Sequence, residues 1–304
     1  MSQGLTMDEH RKYLDPAFLG RLANLDLVAR CAVEGLFSGV HPSAFHGLSV
    51  EYSDHRQYHP GDEIRFIDWK VFGRTDKLTI KQFLQQTNST VYLLLDSSQS
   101  MGFASEGQVS KLDYGSFLAA ALTLLLLRQA DCPSLILFAE RIRRQIPPQS
   151  RSSQLNAVLL ALQANRPSGR TRLAEVLHTV AEMSSRRGLV VLISDLIDDE
   201  QDILDGLAHL AFLRHDVIVF QVLDRQELLL EYDEALEFRD MESADRVRAF
   251  PAVIRQDYQR QVQTYLREVR TTLGNRGMDY CLCNTAEPLD RALLAFLARR
   301  TRML

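Results

Sequence analysis

The sequence predicts an α/β fold: a doubly wound, mostly parallel sheet with one antiparallel edge strand. Three observations carry that prediction. From Ser89 onward, short apolar runs alternate with longer stretches of helical period, and repeated βα units build a parallel sheet with helices on both faces. Two runs, Thr-Val-Tyr-Leu-Leu-Leu (90–95) and Gly-Leu-Val-Val-Leu-Ile-Ser-Asp (188–195), are continuously apolar up to their last residues, as strands buried on both faces are. Arg141 to Ile146 instead alternates charge with isoleucine after a tight turn, which fits an antiparallel edge strand.

The elements follow in order. Strand 90–96 leads into a strongly apolar helix over 111–129, and Leu135 to Ala139 forms the next strand before the edge strand. Ser152 to Ala164 and Arg172 to Arg186 are amphipathic helices. Strand 188–195, helix 200–214 and strand 217–223 come next. Residues 228–245 read as an inserted hairpin turning at Tyr232-Asp233. Helix 251–273, strand 278–283 and helix 287–300 complete the pattern. Residues 1–88 lack this rhythm: a helix near 16–34 precedes a polar, aromatic, Gly-Pro-punctuated stretch over 39–76. They are expected to form a small N-terminal α+β module, with the sheet domain over 89–304.

The chain has 304 residues, long enough for one large domain or one domain and a smaller one. A net charge of −4 gives no reason to expect a nucleic-acid or anionic-membrane partner. Cys31, Cys132, Cys281 and Cys283 form no CxxC pair and read as reduced thiols of a cytoplasmic protein. The first thirty residues are charged and show no signal peptide. The longest apolar stretch, Phe117 to Leu127, is eleven residues, and crossing a bilayer takes roughly twenty.

The chemistry is concentrated at strand ends. Residues 96–100 read Asp-Ser-Ser-Gln-Ser, placing one carboxylate and two hydroxyls on a sharp loop. Hard oxygens of this kind suit Mg²⁺ or Mn²⁺ rather than zinc. They are too few to fill an octahedron, which leaves a position for water or a partner's oxygen. In a doubly wound sheet, ligands sit beyond the carboxyl ends of the strands where the winding reverses. If strand 90–96 is that point, strand 188–195 is its neighbour, roughly 4.8 Å away, and Asp96 and Asp195 share one rim. The segment Pro-Ser-Gly-Arg-Thr-Arg-Leu (167–173) precedes a helix running back from that rim, so Thr171 adds a third hydroxyl.

Asp96, Ser98, Ser100, Thr171 and Asp195 together resemble the metal-ion-dependent adhesion site of von Willebrand factor A-type domains. The resemblance implies a Rossmann-like von Willebrand A-type fold. Ser98, Ser100 and Thr171 are then the nearest ligands, Asp96 and Asp195 act largely through water, and a partner carboxylate completes the octahedron. The N-terminal pattern is similar to a bacterial family called domain of unknown function fifty-eight: it includes His41, His46-Gly47, Glu51-Tyr52, Asp54, Arg56, Tyr58-His-Pro60-Gly61-Asp62, Arg65, Ile67-Asp68-Trp69. That likeness implies association with a MoxR-type AAA+ ATPase, and some members of the family carry transmembrane segments.

Each site has a plainer reading. Asp-x-Ser-x-Ser alone is also a helix cap. Arg56, Asp62, Arg65, Asp68 and Trp69 read better as an internal Arg–carboxylate network than as a docking face. His41, His46, His55 and His59 match no zinc spacing. Arg141, Arg143, Arg144, Arg186-Arg187 and Arg299-Arg300 read as solvated faces and helix ends. No phosphate-binding glycine loop is present. The sequence therefore reads as a non-enzymatic adapter that binds a protein client or the ATPase through Mg²⁺ or Mn²⁺. A metal-assisted phosphoester hydrolase, which usually carries a second Asp where this chain has Ser98, and a scaffold with a vestigial site are the alternatives.

Overall fold

A computed structural model describes residues 15–19, 24–39, 55–57, 73–74, 78–81, 89–184, 187–241 and 245–303. The central sheet has six strands: β3 (Thr90–Asp96), β4 (Cys132–Phe138), β5 (Ile142–Ile146), β6 (Leu189–Ser194), β7 (Asp216–Leu223) and β10 (Asp279–Asn284). Its order is β10-β7-β6-β3-β4-β5. All pairs are parallel except β4 with β5. The chain leaves β3 toward β4 and later returns to β6 on the other side, so β3 is the reversal point. Two short antiparallel pairs stand apart, β1 (His55–Gln57) with β2 (Thr79–Lys81) and β8 (Leu236–Arg239) with β9 (Arg246–Ala249).

Helices α1 (Pro16–Leu19), α2 (Leu25–Gly39), α3 (Lys111–Arg128), α4 (Ser153–Ala164) and α9 (Asp290–Met303) lie in the first part of the chain or on one face of the sheet. Helices α5 (Leu173–Met183), α6 (Glu200–Phe212), α7 (Arg225–Leu229) and α8 (Pro251–Asn275) complete the set. Residues of α2, α3, α4 and α9 share one buried cluster with Leu93, Leu95 and Val191. Residues of α5, α6 and α8 share the opposite cluster with Leu94, Val190 and Leu192. Alternate residues of one strand thus feed two cores, which is why β3 and β6 are apolar without interruption.

Helix α3 is apolar on all sides, as a helix buried all round must be. The sheet covers one side, and Val28, Ala29, Ala32, Val33 and Leu36 of α2 belong to the cluster that covers it elsewhere. Gly115 permits the close approach of α3 to the sheet: a Cβ there would lie 2.7 Å from Leu95 Cδ1. Lys111, at the start of α3, reaches Asp195 just beyond the carboxyl end of β6.

Several boundaries differ from the sequence reading. Strand β4 begins at Cys132, three residues before the expected start. The inserted hairpin lies at 236–249, not around Tyr232-Asp233. The cause is local: Asp224 and Glu227 form a capping box that turns 225–229 into α7, and Leu230 ends it in the left-handed region at φ 50°. The expected helix near 16–34 is two helices, α1 and α2, with residues 20–23 outside the described set. Most of the 39–76 stretch, including Asp62, Arg65, Asp68, Trp69, His41, His46 and His59, lies outside the described residues. The four cysteines are free thiols. Among the described residues, no helix is long and apolar enough to cross a membrane.

Candidate metal centre at the sheet rim

Strands β3 and β6 are paired through Leu95 and Ile193, so Asp96 and Asp195 emerge side by side from the sheet. Both are fully buried. Asp96 Oδ2 accepts from Ser194 Oγ at 2.6 Å, and Asp96 Oδ1 accepts from the Ser98 amide at 2.9 Å. The Ser98 and Ser100 hydroxyls are 3.0 Å apart. A turn of 3₁₀ helix at Ser100–Gly102 holds the second serine inward.

The Thr171 segment arrives through backbone bonds. The Ser168 amide donates to Ser97 O at 3.0 Å, and the Gln99 amide donates to Gly169 O at 2.9 Å. Gly169 takes φ 70°, a conformation that glycine adopts without steric cost. Asn165 Nδ2 donates to Ser97 Oγ at 2.8 Å. Arg143, read from sequence as part of a solvated face, donates to the carbonyls of Ser97, Arg166 and Ser168. It joins the two loops, the second of which runs on to the buried Thr171. Asp96, Ser98 and Ser100 are linked directly, Asp195 is near enough for its charge to raise the Asp96 carboxyl, and Thr171 follows the loop bonded to Ser97 and Gln99.

Three residues at the rim were not foreseen: Lys111, Glu227 and Asp224. Lys111, fully buried, donates from Nζ to Asp195 Oδ2 at 2.8 Å and to Glu227 Oε1 at 2.6 Å. A cation in the first turn of a helix opposes the macrodipole, and Lys111 directly after the cap Ser110 was the available signal. Asp224, buried at the end of β7, accepts from Ser105 N, Ser105 Oγ and Thr285 Oγ1, all within 3.1 Å. Its signal was the Asp-x-x-Glu capping pattern over 224–227.

The electrostatics are those of crowded carboxylates. Burial, then the charge of Asp195, pushes Asp96 up to about 7 against the bonds from Ser194 and Ser98. Burial likewise raises Glu227, partly offset by Lys111. Burial disfavours the charge on Lys111, but Asp195 and Glu227 outweigh it and hold the amine above its ordinary value. Asp195 is further fixed by the Ile197 amide on Oδ1 at 3.2 Å and by Gln221 Nε2 on its carbonyl at 3.0 Å. Leu196 follows in the left-handed region at φ 57°, a conformation that costs a non-glycine residue about 1–3 kcal/mol and clusters at functional sites.

The donor set fits a hard cation. The predicted donor set is two carboxylates, Asp96 and Asp195, with three hydroxyls; among the described residues, no three His, Cys, Asp or Glu side chains gather as a metal group. Four carboxylates, the buried Asp96, Asp195 and Asp224 and the half-buried Glu227, lie at the rim with one ammonium, Lys111, which pairs with Asp195 and Glu227. A divalent ion there would offset part of that negative charge and favour the ionised form of Asp96.

The family described as "Protein of unknown function DUF58" matches residues 54–267. The uncharacterized proteins Rv1480 of Mycobacterium tuberculosis and Mb1516 of Mycobacterium bovis are each 26% identical over 294 residues, covering 95% of this chain and 91% of theirs. Among solved structures, the conserved hypothetical protein BatB of Bacteroides thetaiotaomicron is 15% identical with a TM-score of 0.46, covering 71% of this chain and all of its own. An aerotolerance-related membrane protein of Bacteroides fragilis is also 15% identical, with a TM-score of 0.44 and coverage of 69% and 99%.

Proposed function

The chain belongs to the DUF58 family, and from that premise we propose that it is a non-enzymatic binding protein with a von Willebrand A-like domain. Ser98, Ser100 and Thr171 hold one Mg²⁺ or Mn²⁺ at the sheet rim, while Asp96 and Asp195 balance its charge. The ion supplies an open coordination position for a carboxylate oxygen of a protein partner. The observation that carries this reading is the convergence of a hydroxyl pair 3.0 Å apart with two fully buried carboxylates on adjacent strands. The resemblance adds the setting: a cytoplasmic adapter that serves a MoxR-type AAA+ ATPase and presents clients for remodelling or cofactor insertion.

The protein's own groups prepare the rim. The Ser98 amide and Ser194 hydroxyl aim Asp96, Lys111 aims Asp195, and Arg143 holds the Thr171 loop. Electron paramagnetic resonance of Mn²⁺ titrated into the full chain, paired with thermal denaturation, tests the reading. Mn²⁺ should bind at one site and raise the melting temperature, because a ligand specific for the native state stabilises it by about 2.7 kcal/mol at a hundred times its Kd. Asp96→Ala should abolish both effects. A scaffold with a vestigial site has one observation in its favour: the Lys111 ammonium, 2.8 Å from Asp195 Oδ2, already supplies a positive charge. Absence of Mn²⁺ binding by the wild type would establish that alternative.

A further inference from the structure

An apolar groove of about 700 Å³ opens directly beside the hydroxyl cluster. Its walls come from four places, one of them α7 with Gln226 and Glu227. Ser100, Phe103 and Ile197 belong to the rim loops, Met241 and Val247 to the β8–β9 hairpin, and Ile254 to the start of α8. Ser100 belongs to both features: its hydroxyl is 3.0 Å from that of Ser98, and it lines the groove.

The neighbourhood is unusually apolar for a surface. Val247 is 63% exposed, Ile197 50%, Ile254 41% and Met241 38%, and Phe250 and Val253 next to them in the chain are 66% and 81% exposed. Concentrated exposed apolar surface marks an interaction site. The hairpin itself is a two-stranded unit, marginal unless it packs on something. It is held at its base: Arg255 of α8 binds the carbonyls of Leu230 and Tyr232, and Tyr232 meets Phe238 edge-on at 6.5 Å. The wall is therefore positioned while its inner face stays open.

We infer that this groove takes an extended segment of a partner protein carrying one Asp or Glu, with an aliphatic or aromatic residue two positions away. The inference rests on the proposed metal reading of the rim and names the partner's chemistry. The carboxylate belongs at the Ser98–Ser100 cluster. In an extended chain, side chains two residues apart point the same way roughly 6.6 Å apart, so the side chain at i±2 enters the groove when the acid meets the rim. Glu237, Arg239 and Asp240 also line the groove, with Glu237 paired to Arg239 and Arg246 at 3.7 and 3.8 Å. The polar part of the lining thus carries both signs of charge, and the apolar part sets the demand on the neighbouring side chain.

The test is selection of phage-displayed random dodecapeptides on the full chain with Mn²⁺, followed by fluorescence anisotropy of synthetic winners. Enriched peptides should share an acid with an apolar residue two positions away. Changing the acid to its amide, or the apolar residue to Ser, should each weaken binding at least about tenfold. The double variant Val247→Ser/Ile254→Ser, altered only at exposed positions, should lose the peptide to the same extent and keep its Mn²⁺ resonance signal. Acidic peptides that bind with Mn²⁺ but ignore both the spacing and the double variant overturn the groove inference and leave the metal reading intact. Spaced peptides that need the groove yet survive EDTA and Asp96→Ala support the groove and sink the metal reading. No enrichment, together with sedimentation on phosphatidylglycerol vesicles, overturns the inference and assigns the patch to a membrane surface.

Discussion

The two sides of the sheet rim are built by opposite means. On the hydroxyl side, Ser98, Ser100 and Thr171 are neutral and sit on loops fixed mainly by backbone bonds, Ser168 N to Ser97 O and Gln99 N to Gly169 O. On the carboxylate side, Asp195, Glu227 and Lys111 are held by one another's charges in a buried cluster. The hydroxyl side contributes oxygens without electrostatic cost. The carboxylate side stores negative charge that a single ammonium does not fully balance. Under the proposed reading, neutral loops would set where a cation sits and buried charges why it binds.

The comparison is broken most severely at Lys111. Lys111→Met leaves Asp195 and Glu227 buried without their cation, and loss of one partner of a buried pair costs about 3–5 kcal/mol. Urea denaturation should show that loss, with Mg²⁺ restoring more stability to the variant than to wild type. A second test uses pH. The Asp96 carboxyl titrates at about 7 in the folded chain against its ordinary value of 3.8, so the folded state binds this proton more tightly than the unfolded state. Its contribution is fully present below about pH 4 and is lost as pH rises through about 7. In EDTA, Asp96→Asn should therefore flatten the decline in stability between those pH values by a few kcal/mol. Saturating Mg²⁺ should flatten it in wild type. A variant with the wild-type slope would place the titration elsewhere.

The hydroxyl side should yield less. Arg143→Ala removes donors to three carbonyls, but the arginine is exposed and the backbone bonds between the loops remain. A loss of about 1 kcal/mol is expected, with several-fold weaker Mn²⁺ binding as the Thr171 loop loosens. Wild-type Mn²⁺ affinity in this variant would mean that the loop needs no clamp.

Much of this was legible in the sequence because its signals are local. Continuous apolar runs marked β3 and β6, charge alternation marked β5, and Asp-x-Ser-x-Ser at a strand end marked the rim. The hairpin was misplaced because Asp224 and Glu227 start a helix whose capping competes with a turn at Tyr232-Asp233. Arg143 is exposed, as strand alternation suggests; nothing in its neighbours in the chain shows that its guanidinium also reaches the carbonyls of Arg166 and Ser168.

The sequence by itself determined the alternation of strands and helices and the reversal at β3, and it singled out five oxygen-bearing residues as a candidate site, since each depends on spacing within a few residues or on the connection rules of parallel sheets. Only the tertiary structure decided that α2 belongs to the same core as α3, that Lys111 meets Asp195 and Glu227 across 84 and 116 residues, and that an apolar groove shares Ser100 with the rim. Those contacts join segments with no common local period. They depend on which faces the packed layers bring together, and apolar packing is non-directional and leaves no record of partner choice in either segment alone.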